Sequence, residues 1–344
     1  MQQRQKQHLK SRISPLNKSK GGSKLGSLVF LLILVGGGFA LLLNFQTLVD
    51  WYALRSYTAP AIVKQYADQD TMTSYARKVF YVNHPEIVEK SLFSKSCPDA
   101  TREHTIVLGC YHGNQKGIFL LKVSDNRLNG VEQVTAAHEM LHAAYDRLDD
   151  SERSEIDRLL KDFYENKLTD ERIKKTIDAY KKTEPNDLVN EMHSIFATEV
   201  VDLTAELENY YKQYFDSRKT VAQMSIRYQA EFTSRQNAVA NYDIQLEELK
   251  QEIERGKADI ESGQNDIDTQ KAELDRHKQN ENVSQYNAGV PVYNNLIDSY
   301  NRDVQNTKNL IARYNDIVAA RNTIAVEQDQ LVEELKGNSA KVQE

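Results

Sequence analysis

Seven apolar residues, Phe232, Val239, Leu246, Ile253, Ile260, Ile267 and Leu274, recur at a strict interval of seven. Seven residues are close to two helical turns, so this stripe stays on one side of a helix and needs a partner helix to leave water. The companion positions are poor in apolar side chains, with Gly256, Gly263 and Gln270 in the second seam. The stretch "YNAGVPVYNN" (286–295) interrupts the pattern with Gly289 and Pro291. A second series then follows at Val290, Ile297, Val304, Ile311, Val318, Ala325 and Val332. Residues 217–338 are therefore expected to form a coiled-coil helical hairpin that turns near 284–292. Tyr-Asn pairs at 286, 293, 300 and 314 follow the same seven-residue phase and read as packing.

The opposite end of the chain is built for a different solvent. Leu25–Phe45 contain no charged residue. Twenty-one residues at about 1.5 Å rise suffice to cross a hydrocarbon core of about 30 Å. The preceding residues 1–24 hold seven Lys or Arg and no acid, a bias that keeps the N-terminus in the cytoplasm. A cleaved signal peptide is the rival reading, but the apolar run is long and no small-x-small site follows closely. The expectation is a single-pass membrane protein whose bulk is extracytoplasmic, on the cell surface. Residues 46–70 read as a juxtamembrane helix with Trp51 and Tyr52 near the interface. Beyond residue 24 the chain carries 37 basic and 50 acidic side chains, a balance that argues against nucleic acid as partner.

Two cysteines, Cys97 and Cys110, flank a strand-like run, and in an oxidising compartment a disulfide between them is expected. "ARKVFYV" (76–82) reads as a short strand and residues 86–93 as a helical turn or two. "HTIVLGCY" (104–111) and "GIFLLKV" (117–123) are β-branched and apolar around the turn "HGNQKG", which predicts a hairpin. Helices are expected near 131–147, 151–165, 169–182 and 187–216.

The segment "VTAAHEMLHAAYDRL" (134–148) holds His138, Glu139 and His142. Residues four apart lie one turn apart on nearly the same helix face, so both imidazoles reach one tetrahedral Zn²⁺. Glu139 is rotated by one residue and addresses a water instead, the position of a general base. Val134, Ala137, Leu141, Ala144 and Leu148 form the apolar face that His138 and His142 flank. A third ligand is expected from "LVNEMHSIFATEV" (188–200). There Glu191 falls within the apolar stripe of Leu188, Met192 and Ile195, a costly place for a carboxylate without a cation. Glu199 lies near the same stripe and is the alternative, as ligand or as a group that orients a ligand. His193 is turned away from Glu191. Tyr145, Tyr180, His193 and His112 are the candidate hydrogen-bond donors to a transition state, each with packing as its more ordinary role.

On "HEMLH" (138–142) and "NEMHS" (190–194), the chain resembles the zincin metallopeptidases of gluzincin type, in the thermolysin-like manner of H-E-x-x-H followed by N-E-x-x-S. The resemblance implies His138, His142 and Glu191 as zinc ligands and Glu139 as the catalytic base. It covers about residues 104–203. It departs at Ile195, where that group usually has Asp, and this leaves weight on Glu199. A metzincin is excluded, because Tyr145 and Leu148 stand where its glycine and third histidine would be.

These readings together predict an α+β chain: a basic tail (1–24), a transmembrane helix (25–45), a mostly helical zincin-like domain (46–216) and the coiled-coil hairpin (217–338). The expected activity is hydrolysis of peptide bonds in a protein or peptide substrate by a zinc-bound water. The hairpin would position the domain, recruit substrate, self-associate or bind a partner protein. The alternative is a non-catalytic surface scaffold, adhesion protein or cell-wall regulator acting through the coiled coil.

Overall fold

The structure, a computed structural model, describes residues 30–32, 34–36, 45–98 and 107–336. The basic tail and most of the apolar segment 25–45 lie outside the described residues. Among those described, no helix is long and apolar enough to cross a membrane. The chain divides into two units, residues 1–56 and 57–344. In the first, α1 (Phe45–Leu54) carries Trp51 and Tyr52 on exposed positions. The helix expected over 46–70 is thus two helices, α1 and α2 (Ala61–Gln69), and Pro60 stands immediately before the second, where its fixed φ suits a helix start.

The second unit is mainly helical around a small sheet. After α2 come α3 (Ser74–Val82), β1 (Glu86–Val88), α4 (Lys90–Ser96), β2 (Gly109–His112) and β3 (Gly117–Leu121). Then follow α5 (Val131–Tyr145), α6 (Asp150–Asn166), α7 (Glu171–Thr183), α8 (Leu188–Glu199), α9 (Ala205–Tyr211), α10 (Arg218–Gln279) and α11 (Val283–Leu335). The sheet order is β1-β3-β2, with β1 parallel and β2 antiparallel to β3. The expected β2–β3 hairpin forms, with Asn114 and Gln115 both at positive φ in its turn. The expected disulfide also forms, tying the end of α4 to β2 through Cys97 and Cys110.

Residues 76–82 are helix and not the expected strand. Thr73 caps α3 by accepting from the Ala76 N–H, and Ala76, Val79 and Phe80 then fall on one buried face. Residues 86–88, expected in a helical turn, instead pair with β3. The helix expected over 187–216 is broken at 200–204. Arg218 supplies the reason: its guanidinium, 4% exposed, donates to the carbonyls of Ala197, Val200 and Val201 and pairs with Glu208. One side chain thereby takes up carbonyls that the end of α8 leaves without helical partners. Thr204 caps α9 after the break.

The two long helices form the expected hairpin. Buried or half-buried positions on α10 alternate in steps of three and four, through Leu249, Ile253, Gly256, Ile260, Gly263, Ile267, Gln270 and Leu274. Across the seam, α11 places Tyr293, Tyr300, Thr307 and Tyr314 inward, while Ile311 is exposed. Glycine on one side meets bulk on the other: a Cβ on Gly256 would collide with Thr307 Oγ1, and one on Gly289 would lie 2.8 Å from Leu274 Cδ2. The turn lies at 280–282, earlier than 284–292. Glu281 adopts φ +55°, the Asn282 N–H donates to the His277 carbonyl, and the Asn282 side chain caps α11. Gly289 and Pro291 sit inside the first turns of α11. The base of the hairpin joins the body of the unit: Val221 and Met224 enter the main core, and Leu331 and Leu335 pack on Leu128 and Val131.

Candidate metal centre

Helix α5 starts at Gly130, whose φ of +104° is open to glycine and strained for other residues. A Cβ there would also lie 3.2 Å from Met224 Cβ, so the glycine lets α10 approach the start of α5. Glu132, in the first turn, accepts from Tyr66 Oη at 2.6 Å and from the Val123 N–H at 3.0 Å. Those bonds fix α5 against α2 and against the chain leaving β3. The small residues Ala136, Ala137, Ala143 and Ala144 are all buried and let the neighbouring elements pack closely.

On this fixed helix His138 and His142 present their rings side by side, with centroids 4.7 Å apart. Helix α8 brings Glu191 to both: Oε2 lies 3.6 Å from His138 Nε2, and Oε1 lies 3.4 Å from His142 Nε2. These are long for hydrogen bonds, which cluster at about 2.7–3.2 Å. They suit a shared ion: tetrahedral bonds of about 2.0–2.1 Å place ligand atoms about 3.4 Å apart. Each of the three residues offers a ligand atom, and these all lie within 4.8 Å of one another. Glu191 is 7% exposed, and its Oε2 is buried without a hydrogen-bond partner. Burial alone would push this carboxyl up; His142 by its charge and His138 by its polar contact and charge outweigh it and hold it below the ordinary value. A buried acid kept ionised, with one oxygen unsatisfied between two imidazoles, fits a divalent cation held by His138, His142 and Glu191.

Glu199, the alternative ligand, is engaged elsewhere. Its Oε2 accepts from Arg172 at 2.7 Å and from Gln229 Nε2 at 2.9 Å. It lines the same cavity but is not part of the three-residue cluster. Glu139 is 6% exposed and lies against β2, where a Cβ on Gly109 would come within 2.8 Å of its Oε1. The cavity that holds the cluster encloses about 890 Å³. Strand β2 forms one wall, and its outer edge pairs with no other strand among the described residues.

The four candidate donors separate. His112 and Tyr180 line the cavity; Tyr145 and His193 do not. Tyr145 donates to Asp157 at 2.6 Å. His193 is fully buried behind Glu191, among the rings of Tyr145, Tyr210, Tyr211 and Tyr214. Burial, with the charges of His142 and His138, lowers its pKa to about 3, so it is neutral. Among the cavity residues that no sequence motif marks are Arg172, Tyr228 and Gln229. Arg172 is the only Lys or Arg among the described lining residues, set against the carboxylates of Glu139, Asp146, Glu184, Asp187, Glu191 and Glu199. Nothing in the local sequence of α7 or α10 marks these residues, since the cavity wall is assembled from helices far apart in the chain.

No protein-family model, curated protein or solved structure matches this chain.

Proposed function

We propose that the chain is a zinc metallopeptidase, anchored in a membrane by residues 25–45 and working outside the cytoplasm. The observation that carries the reading is the convergence of His138, His142 and Glu191, from two helices about fifty residues apart, with Glu139 buried beside them. A purely structural zinc site favours four protein ligands, whereas three ligands plus an adjacent carboxylate suit hydrolysis. Zn²⁺ held by those ligands would polarise the scissile carbonyl and lower the pKa of a bound water. Glu139 takes the proton from the attacking water and delivers it to the leaving amine. The outer edge of β2 offers backbone groups to an extended peptide, which adds to the sheet beside α5. His112 and Tyr180 line the cavity, but the His112 ring is engaged with the Ser96 carbonyl at 2.6 Å and packs on Phe119. The disulfide supports an oxidising compartment.

The test is zinc content per purified full chain, with Glu191→Ala and Glu199→Ala beside the parent. The expected result is about one zinc in the parent and in Glu199→Ala, and none in Glu191→Ala. Glu139→Gln should keep the zinc and lose peptide cleavage by on the order of 10²–10⁴-fold. A metal-free parent after incubation with zinc, or full cleavage by Glu139→Gln, refutes the reading. In that case the scaffold alternative, which needs only the hairpin, takes its place.

A further inference from the structure

The cavity is asymmetric along β2. At one end Gly113 lies near Asp146, with a Cβ there 3.7 Å from the carboxylate, and Glu184 and Asp187 belong to the same lining. At the other end Gly109 lies against Thr135 and Glu139, and the chain before it supplies Val107 and Leu108. That end is completed by the hairpin: Phe232 from α10, and Gln328, Val332 and Leu335 from α11. Val107, Leu108, Phe232 and Val332 are only partly buried, although Val107, Leu108 and Phe232 pack among apolar neighbours. Apart from Glu139, none of the residues named at this end is charged. Partly exposed apolar side chains that wall one end of a cavity favour an apolar occupant, and the same cavity continues to Glu139.

We infer that the base of the coiled-coil hairpin forms the specificity pocket of the peptidase and receives an apolar side chain of the substrate. The inference rests on the proposed peptidase activity. It commits to an extended peptide paired with the edge of β2, whose large apolar residue beside the scissile bond contacts Phe232 and Val332. The hairpin is then part of the substrate site as well as an extension from it. Phe232 and Val332 determine specificity; neither takes part in the proton transfer.

The test uses the zinc-loaded full chain and a library of unstructured synthetic decapeptides with every residue type at the central positions. New termini are identified by mass spectrometry. The parent should cut with one flanking position enriched in large apolar residues. Val332→Lys should lower that preference about tenfold and favour acidic residues at the same position, with zinc content unchanged. Phe232→Leu, a milder change, should retain folding and shift the preference among apolar residues of different size. Zinc-loaded variants that cleave with the parent's profile overturn the inference and leave the peptidase reading standing. Absence of Glu139-dependent cleavage by the parent overturns both.

Discussion

With Glu139 as the proposed base, one methyl group added at Gly109 would displace it from the candidate metal centre. The Cβ of alanine there would lie 2.7 Å from Thr135 Cγ2 and 2.8 Å from both Cγ and Oε1 of Glu139. Carbon atoms in ordinary contact sit about 3.5–4.0 Å apart, so the overlap is close to 1 Å on two side chains. The strand has little room to retreat. Gly109 pairs with Leu120 on β3, and the next residue is held by the disulfide to Cys97. Thr135 and Glu139 are therefore the groups that must move. A displacement of about 1 Å in a catalytic group costs on the order of 10²-fold in rate. Overpacking of this kind costs about 1–3 kcal/mol in stability. His138, His142 and Glu191 are not among the nearest atoms that the methyl meets. Gly109→Ala should keep one zinc per chain, melt a few degrees lower, and cleave peptides about 100-fold more slowly. Metal analysis and steady-state cleavage on the same preparation make the test. Activity within a few-fold of the parent, at full zinc, would refute Glu139 as the group whose position matters.

Three further outcomes follow from the geometry. His193 has its pKa lowered to about 3 by burial and by the nearby His142 and His138, against 6.5 for a free histidine. Its stabilising contribution is complete above pH 6.5 and is lost as the pH falls from there toward 3, at up to about 1.4 kcal/mol per pH unit. Denaturant titrations at pH 7 and pH 5 should show a smaller acid loss in His193→Asn; an equal loss would refute the assignment. Arg218→Ala removes the donor to the carbonyls of Phe196, Ala197, Val200 and Val201, at and just after the end of α8, and leaves Glu208 without its partner. A loss of about 3–5 kcal/mol in chemical denaturation is expected, and a loss below about 1 kcal/mol would contradict the capping role. Replacing Cys97 and Cys110 together by alanine should cost about 3 kcal/mol by opening a short loop, read as a lower denaturation midpoint under non-reducing conditions.

The parts of this molecule that the sequence discloses are those whose signal is local or periodic. Two histidines four apart need only a helix to converge, and Glu191 stands out as an acid inside an apolar stripe. The heptads announce a helical pair because their period is incompatible with any other buried arrangement. The tyrosines at 293, 300 and 314 take seam positions because small α10 residues such as Gly263, opposite Tyr300, leave room for rings. What was hidden depends on distant partners. "ARKVFYV" has strand-like composition but becomes helix, since Thr73 caps it and its apolar face finds the core. The break after Glu199 is fixed by Arg218, nineteen residues later. The hairpin turn follows the caps at Asn280–Asn282 rather than Gly289 and Pro291, whose composition alone suggested a turn. Phe232 and Val332 were legible as seam residues, but not as walls of a cavity.

The hairpin's two helices both touch the cavity wall at one end and meet each other at the far end. From Phe232 to the turn is about 70 Å of helix at 1.5 Å per residue. The glycines along the seam act as notches: Thr307 sits in the one at Gly256, and Leu274 sits in the one at Gly289. Notched rails do not slide past each other without climbing out of their teeth. A load applied at the tip therefore reaches the base as tilt of a stiff rod and not as slippage between two strands of rope. The cleft beside Glu139 thus has a handle on it, and whatever grips the far end has leverage over the wall of that cleft.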